Sequence, residues 1–183
     1  MILLGGIVHN TGSSLACPDW PTCFGTFFPK MEGGVLIEHS HRLLGMIIGL
    51  LCIIQAFLAA RKRRENNGIY LWSLGLLLLV ILQGILGGIT VLLRLPPQVS
   101  TLHLATSQLV FIAFIGQAFR IHQSQHPLGV PAVRAPNSTL LRLTLILIYL
   151  QIISGAAVPP FGYHAACGLG PGIGRRTWRD RRV

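Results

Sequence analysis

Uncharged, apolar residues fall along the chain in four long runs, and the segments between them collect most of the charge. The runs cover 43–60, 68–93, 101–119 and 143–158, with lengths of 18, 26, 19 and 16 residues. A helix needs about 20 apolar residues to cross a hydrocarbon core about 30 Å thick, so each run is long enough, or nearly so, for one span. Pro96 and Pro97 follow the second run, and Pro159 and Pro160 stop the fourth, because proline cannot continue a helix without losing backbone bonds. With their polar ends included, the predicted spans are about 35–60, 68–93, 100–119 and 140–158. MILLGGIV, at the start, is too short to cross. It lacks the basic segment and cleavage site of a signal peptide, and is expected to be the end of a first span whose beginning is missing.

Composition changes the picture from "helical" to "membrane". With 51% hydrophobic and 11% charged residues and a mean hydropathy of +0.61, the chain is too apolar for a soluble domain of 183 residues. The expected fold class is all-α, a polytopic transmembrane bundle of four to five spans with the first one truncated. Residues 1–158 form this domain, with an outer loop over 10–34, and 159–183 form an atypical basic tail outside the fold.

The net charge of +10 does not point to nucleic acid, since the cations cluster at the ends of apolar runs instead of forming a basic face interleaved with aromatics. It reads as topology. Arg61, Lys62, Arg63, Arg64, Arg120, Arg134 and Arg142 lie on one side of the predicted membrane, Lys30 and Arg94 on the other. The positive-inside rule then places 61–68 and 120–142 in the cytoplasm and the loop containing Cys17 and Cys23 outside, in the periplasm for a bacterial cytoplasmic membrane. The tail, with Arg175, Arg176, Arg179, Arg181 and Arg182, would fall on the outer side against that rule. The expectation drawn from this is a truncation or a change of reading frame.

Candidate chemistry concentrates in GGVLIEHSHRLLGMIIG, residues 33–49. Glu38, His39, His41 and Arg42 lie in the first turns of a span, where ionisable groups cost about 2.5–3.5 kcal/mol each on insertion scales. His41 and His103 lie one to two turns inside the outer ends of two parallel spans, an arrangement suited to a planar metal macrocycle ligated by imidazole. Two histidines bonded to neighbouring helices would be the structural alternative. Glu38 is three residues from His41 and shares its face, while Arg42 is at i,i+4 from Glu38. Glu38 is thus either a carboxylate paired with Arg42 or a proton acceptor and charge stabiliser beside a metal cofactor. Arg42 is a candidate for a haem propionate or a lipid phosphate. His39 points about 160–200° away from His41 and reads as a bystander.

Cys17 and Cys23 close CPDWPTC, for which a structural disulfide and a redox-active pair both stay open, with zinc a weaker third option. His9, His122, His126 and His164 lie at span ends, in loops or in the tail and are expected to be solvated. Gly45-x-x-x-Gly49 and Gly84, Gly87 and Gly88 read as close helix packing. LLGGIVHNTG, ILQGILGGIT and YLQIISGAAV share a faint pattern compatible with duplicated helix pairs.

LGGIVHNTGSSLACPDWPTCFG, GGVLIEHSHRLLG, ILGGITVLL and STLHLATSQ occur in order over residues 4–119, and with these the chain resembles the heme A synthase family. The combination of CPDWPTCFG with E-x-x-H-R is the specific part. The resemblance implies half of a duplicated eight-helix architecture and an enzyme that oxidises a methyl group of heme O to the formyl group of heme A using a bound b-type haem. It puts the essential carboxylate on Glu38, the haem-iron ligands on His41 and His103 and the outward cysteine pair, as a disulfide, on Cys17 and Cys23. No other metal is implied. LIYLQIISGAAV resembles the opening helix of the second half, and after Val158 the motif-by-motif likeness ends.

The implied partners are the haem substrate, the lipid bilayer, a heme O-producing enzyme, and either a missing second half or another copy of the chain in a homo-oligomer. The alternative reading is a membrane b-type cytochrome that binds haem for electron transfer without oxidising a substrate. A haem-free membrane scaffold is the third.

Overall fold

The computed structural model describes residues 1–125 and 138–161. It contains α1 (Ile2–Asn10), α2 (Gly33–Arg61), α3 (Asn67–Leu92), α4 (Pro97–Gln125) and α5 (Ser138–Phe161). The described residues hold no strand beyond an isolated bridge between Cys23 and Thr26. The protein is a helical membrane bundle: α2, α3 and α4 are long and apolar enough to cross a bilayer. Most of their large apolar side chains face outward, Ile47, Leu50, Phe57, Leu78 and Phe111 among them, as a lipid-facing surface requires.

The helices α1 to α4 form one compact unit and α5 belongs to a second. Within the first unit packing is sequential, with α1 on α2, α2 on α3 and α3 on α4. Short connections enforce this order. Asn66 caps α3 by accepting from the Ile69 N–H at 3.1 Å. At the far end the chain reverses within a few residues, with Arg94 at φ 57° and Leu95 at φ 61° ahead of Pro96.

Polar groups hold α3 to α4 where lipid offers no hydrophobic drive. Gln117 donates to Ser73 Oγ at 2.7 Å, and Ser73 donates in turn to the Ile69 carbonyl at 2.8 Å. Trp72 donates its indole N–H to the Ala113 carbonyl at 3.1 Å while its ring fills the space over Gly116. The Arg120 guanidinium lies 4.4 Å from the centre of that ring.

The first predicted span is present as the nine-residue α1. In α5 the helix continues through Pro159 and Pro160 to Phe161, past the predicted stop at 158. Each proline removes an i→i−4 hydrogen bond, and within the described residues the helix runs only one residue beyond the pair. The basic tail, Cys167, Arg134, His126 and His164 lie outside the described residues.

Candidate functional site

His41 lies eight residues into α2 and His103 six into α4, about 12 and 9 Å along their helices at 1.5 Å per residue. The two imidazoles are near enough to interact electrostatically. Each is backed by a glycine of the preceding helix. A β-carbon on Gly5 would stand 3.1 Å from His41 Cε1, and one on Gly87 would stand 3.2 Å from His103 Cε1. These glycines belong to LLGGIV and ILGGIT, so the faint repetition in the sequence corresponds to two equivalent seats for imidazole.

The two rings are held differently. His41 Nδ1 is buried without a partner among the described residues. At His103, Gln83 of α3 places its side-chain nitrogen 3.0 Å from Nδ1 and 2.8 Å from the backbone carbonyl of the same residue. The Thr106 hydroxyl donates to Gln83 Oε1 at 2.6 Å.

Glu38 is 3% exposed and both its oxygens are engaged. Oε2 accepts the Cys17 N–H at 2.8 Å, and Oε1 pairs with Arg42 at 2.5 Å. Arg42 also donates to the carbonyls of Asp19 (2.6 Å), Thr22 (2.7 Å) and Cys17 (3.3 Å). The guanidinium is therefore a clamp on the loop between α1 and α2, directed at backbone oxygens. A planar cation with several fixed donors can satisfy carbonyls in this way where lysine could not.

The loop is built from its own polar groups as well. Cys17 and Cys23 form a disulfide and are fully buried. Asp19 accepts from the Thr22 hydroxyl, from Phe24 N–H at 2.6 Å and from Gly25 N–H at 2.9 Å. The Thr22 hydroxyl first, then the Gly25 amide, hold its carboxyl below the usual value. Trp20, joined to Pro21 by a cis peptide, lays its indole on Gly88 of α3, where a β-carbon would come within 2.7 Å of the ring.

His39 is not a bystander to the fold, although it is turned away from His41. It is fully buried, its Nε2 donates to the Phe27 carbonyl at 3.0 Å, and one of its nitrogens lies within 4.8 Å of both sulfurs. With the sulfurs joined to each other, this cluster packs the loop. His9 and His122 are exposed. Sequence reading missed His39, Gln83, Thr106 and Asp19. One signal for Gln83 was available: LQGILGG of α3 and LQIISGA of α5 both carry glutamine four residues ahead of glycine, as Gln83/Gly87 and Gln151/Gly155.

Comparison with known proteins identifies the family. Residues 31–176 match the family model of a cytochrome oxidase assembly protein, running past the point at which individual motifs stop being recognisable. Among curated relatives, a heme A synthase of Symbiobacterium thermophilum is 29% identical over 173 residues, covering 91% of this chain and 56% of its own. The heme A synthase of Bacillus pumilus is 31% identical over 130 residues, 68% of this chain and 41% of the relative. The one from Ehrlichia canis is 26% identical over 209 residues, 97% and 58% respectively. The chain thus spans about half the length of the curated relatives it matches. No solved structure matches it.

Proposed function

The chain belongs to the cytochrome oxidase assembly family, and from that premise we propose that it acts in heme A biosynthesis as a membrane oxidoreductase, converting a methyl substituent of heme O to a formyl group. The observation that carries this reading is the pair His41 and His103, at similar depth on α2 and α4, each ring lying against a glycine of the preceding helix where a β-carbon would crowd it. The residues present fit a haem: both are imidazoles, the usual axial ligand type, and His41 has a buried Nδ1 with no partner among the described residues. When bound, the haem supplies the oxidising chemistry and the protein supplies position and charge.

His41 and His103 hold the substrate from α2 and α4. Glu38 keeps a carboxylate on the face of α2 that carries His41, and Arg42 and the Cys17 amide fix it there. This geometry suits stabilisation of positive charge near the substrate. Proton uptake at Glu38 requires Arg42 to withdraw from Oε1. The disulfide loop closes the outer end of the site against water.

In this reading a second site, in another copy of the chain or in a second half, would hold the b-type haem that would supply electron transfer, and a heme O-producing enzyme of the same bacterial cytoplasmic membrane would supply the substrate. The loop of Cys17 and Cys23 faces the periplasm and Arg61–Arg64 the cytoplasm.

Co-expression with a heme O source, followed by chromatography of extracted haems, tests the proposal. Heme A is expected with the wild-type chain and its absence with His41→Ala and His103→Ala. A Soret band without heme A would leave the cytochrome reading in its place, and a folded protein with no Soret band would remove both.

A further inference from the structure

The hydrogen bonds around His103 fix where its proton sits. A backbone carbonyl oxygen can only accept, so the Gln83 side-chain atom 2.8 Å from the His103 carbonyl is nitrogen. The same nitrogen is 3.0 Å from His103 Nδ1, which must therefore present a lone pair. The Thr106 hydroxyl is compatible with this orientation, lying 2.6 Å from the amide oxygen as well as 2.9 and 3.1 Å from the Leu102 and His103 carbonyls. A neutral imidazole carries one proton, and here it is left on Nε2.

This is the reverse of what a committed metal ligand needs. An imidazole that ligates through Nε2 carries its proton on Nδ1 and donates it to a carboxylate, carbonyl or water. At His103 the side-chain group facing Nδ1 is itself a donor, while the Gln83 backbone carbonyl offers the ring an acceptor. His41 has no such constraint, because its Nδ1 is free of any partner among the described residues.

We propose that Gln83 is a positioning residue that gates ligation by His103. It holds the ring in the non-ligating tautomer until its own amide turns over, while His41 is the standing anchor. The inference rests on the haem-holding role proposed above for the two histidines and deepens it. A haem that enters as substrate and leaves as product needs one ligand that lets go, and a donor behind Nδ1 supplies that. The turn has a definite cost in contacts: it brings Oε1 against the His103 carbonyl, two acceptors face to face, while Thr106 can redirect its hydroxyl to the Leu102 or His103 carbonyl. The non-ligating arrangement is therefore the resting one.

Two measurements on the full chain test this. In haem-free protein labelled with ¹⁵N-histidine, with His103→Ala used to assign the signals, His103 is expected to carry its proton on Nε2. In Gln83→Glu, whose carboxylate can accept from Nδ1, the proton is expected to move to Nδ1. After loading with haem b as the probe, release to excess apomyoglobin should be fastest in wild type, slower in Gln83→Leu and slowest in Gln83→Glu. The last difference should be roughly 10–100-fold, the usual scale for changes behind a metal ligand. A wild-type proton on Nδ1, or equal release rates in all three proteins, overturns the gate. A folded protein with no Soret band instead overturns the haem-holding reading, and the gate falls with it.

Discussion

The backbone N–H of Cys17 donates to Glu38 Oε2 at 2.8 Å, which makes the disulfide loop and the buried carboxylate of α2 one structural unit. Arg42 closes the unit by bridging the other carboxylate oxygen to three carbonyls of the same loop. The charge proposed to act on substrate is therefore held as much by the disulfide loop as by its own helix.

Arg42→Ala should be severely destabilising. It strips donors from three carbonyls and leaves Glu38 charged and unpaired in a buried site, a change that costs on the order of 3–5 kcal/mol. Thermal unfolding in detergent would read it. The double variant Arg42→Ala/Glu38→Gln should recover part of the loss, because no charge is then stranded; additive effects would argue against a coupled pair.

Glu38→Gln alone keeps the shape and an oxygen to accept from Cys17 while removing the charge. The expected result is a folded protein that still shows a Soret band but makes heme A about 10²–10⁴-fold more slowly, the range typical of a lost acid–base or charge-stabilising group. Haem extraction after timed co-expression measures this. Unchanged heme A yield would remove Glu38 from the reaction.

Gly88→Ala should disturb the disulfide loop, because the new methyl would lie 2.7 Å from the Trp20 ring. Overpacking of this kind costs about 1–3 kcal/mol, and Trp20 fluorescence should shift as the indole leaves its seat. Gly84→Ala, one turn away with open space around it, is the control and should melt like wild type.

Asp19 links the loop to pH. Its folded value is depressed below the ordinary 3.8 by the Thr22 hydroxyl and the loop amides. The ionised carboxylate therefore favours the folded loop at pH above the unfolded value, and that contribution is lost as the pH falls below 3.8 and through the folded value. Amide exchange at Phe24 and Gly25, taken as the ratio of wild type to Asp19→Asn, should show protection near neutrality that disappears in acid. A ratio independent of pH would contradict the assignment.

Gln117→Leu tests the α3–α4 polar pair with a different expectation. It gives up one interhelical bond, worth about 0.6 kcal/mol on average in membrane proteins. It also removes Oε1, which is buried without a partner among the described residues. The two nearly offset, so the melting temperature should barely move.

The long helices were legible in the sequence because lipid imposes a simple demand, an uninterrupted apolar stretch about 20 residues long with its charges at the ends. That demand sets α2 at Gly33–Arg61 and α3 at Asn67–Leu92. His41 and His103 could be proposed as a pair because depth along two parallel helices follows from counting residues. His39 was misjudged for the same reason that His41 was found. A helical wheel describes only its own helix, and the loop that folds back to cover His39 comes from residues 17–28. The clamp made by Arg42 works through backbone carbonyls, which every residue has, so no side-chain pattern announces it. Gln83 was hidden in an apolar run where one amide reads as packing, and its role depends on which way that amide faces.

Trp20 rests on a residue that lies sixty-eight positions further along the chain, on α3. During synthesis the ribosome delivers the indole long before it delivers Gly88. The seat for the indole therefore exists only once α3 has formed. The loop between α1 and α2 is thereby completed by a helix made after it.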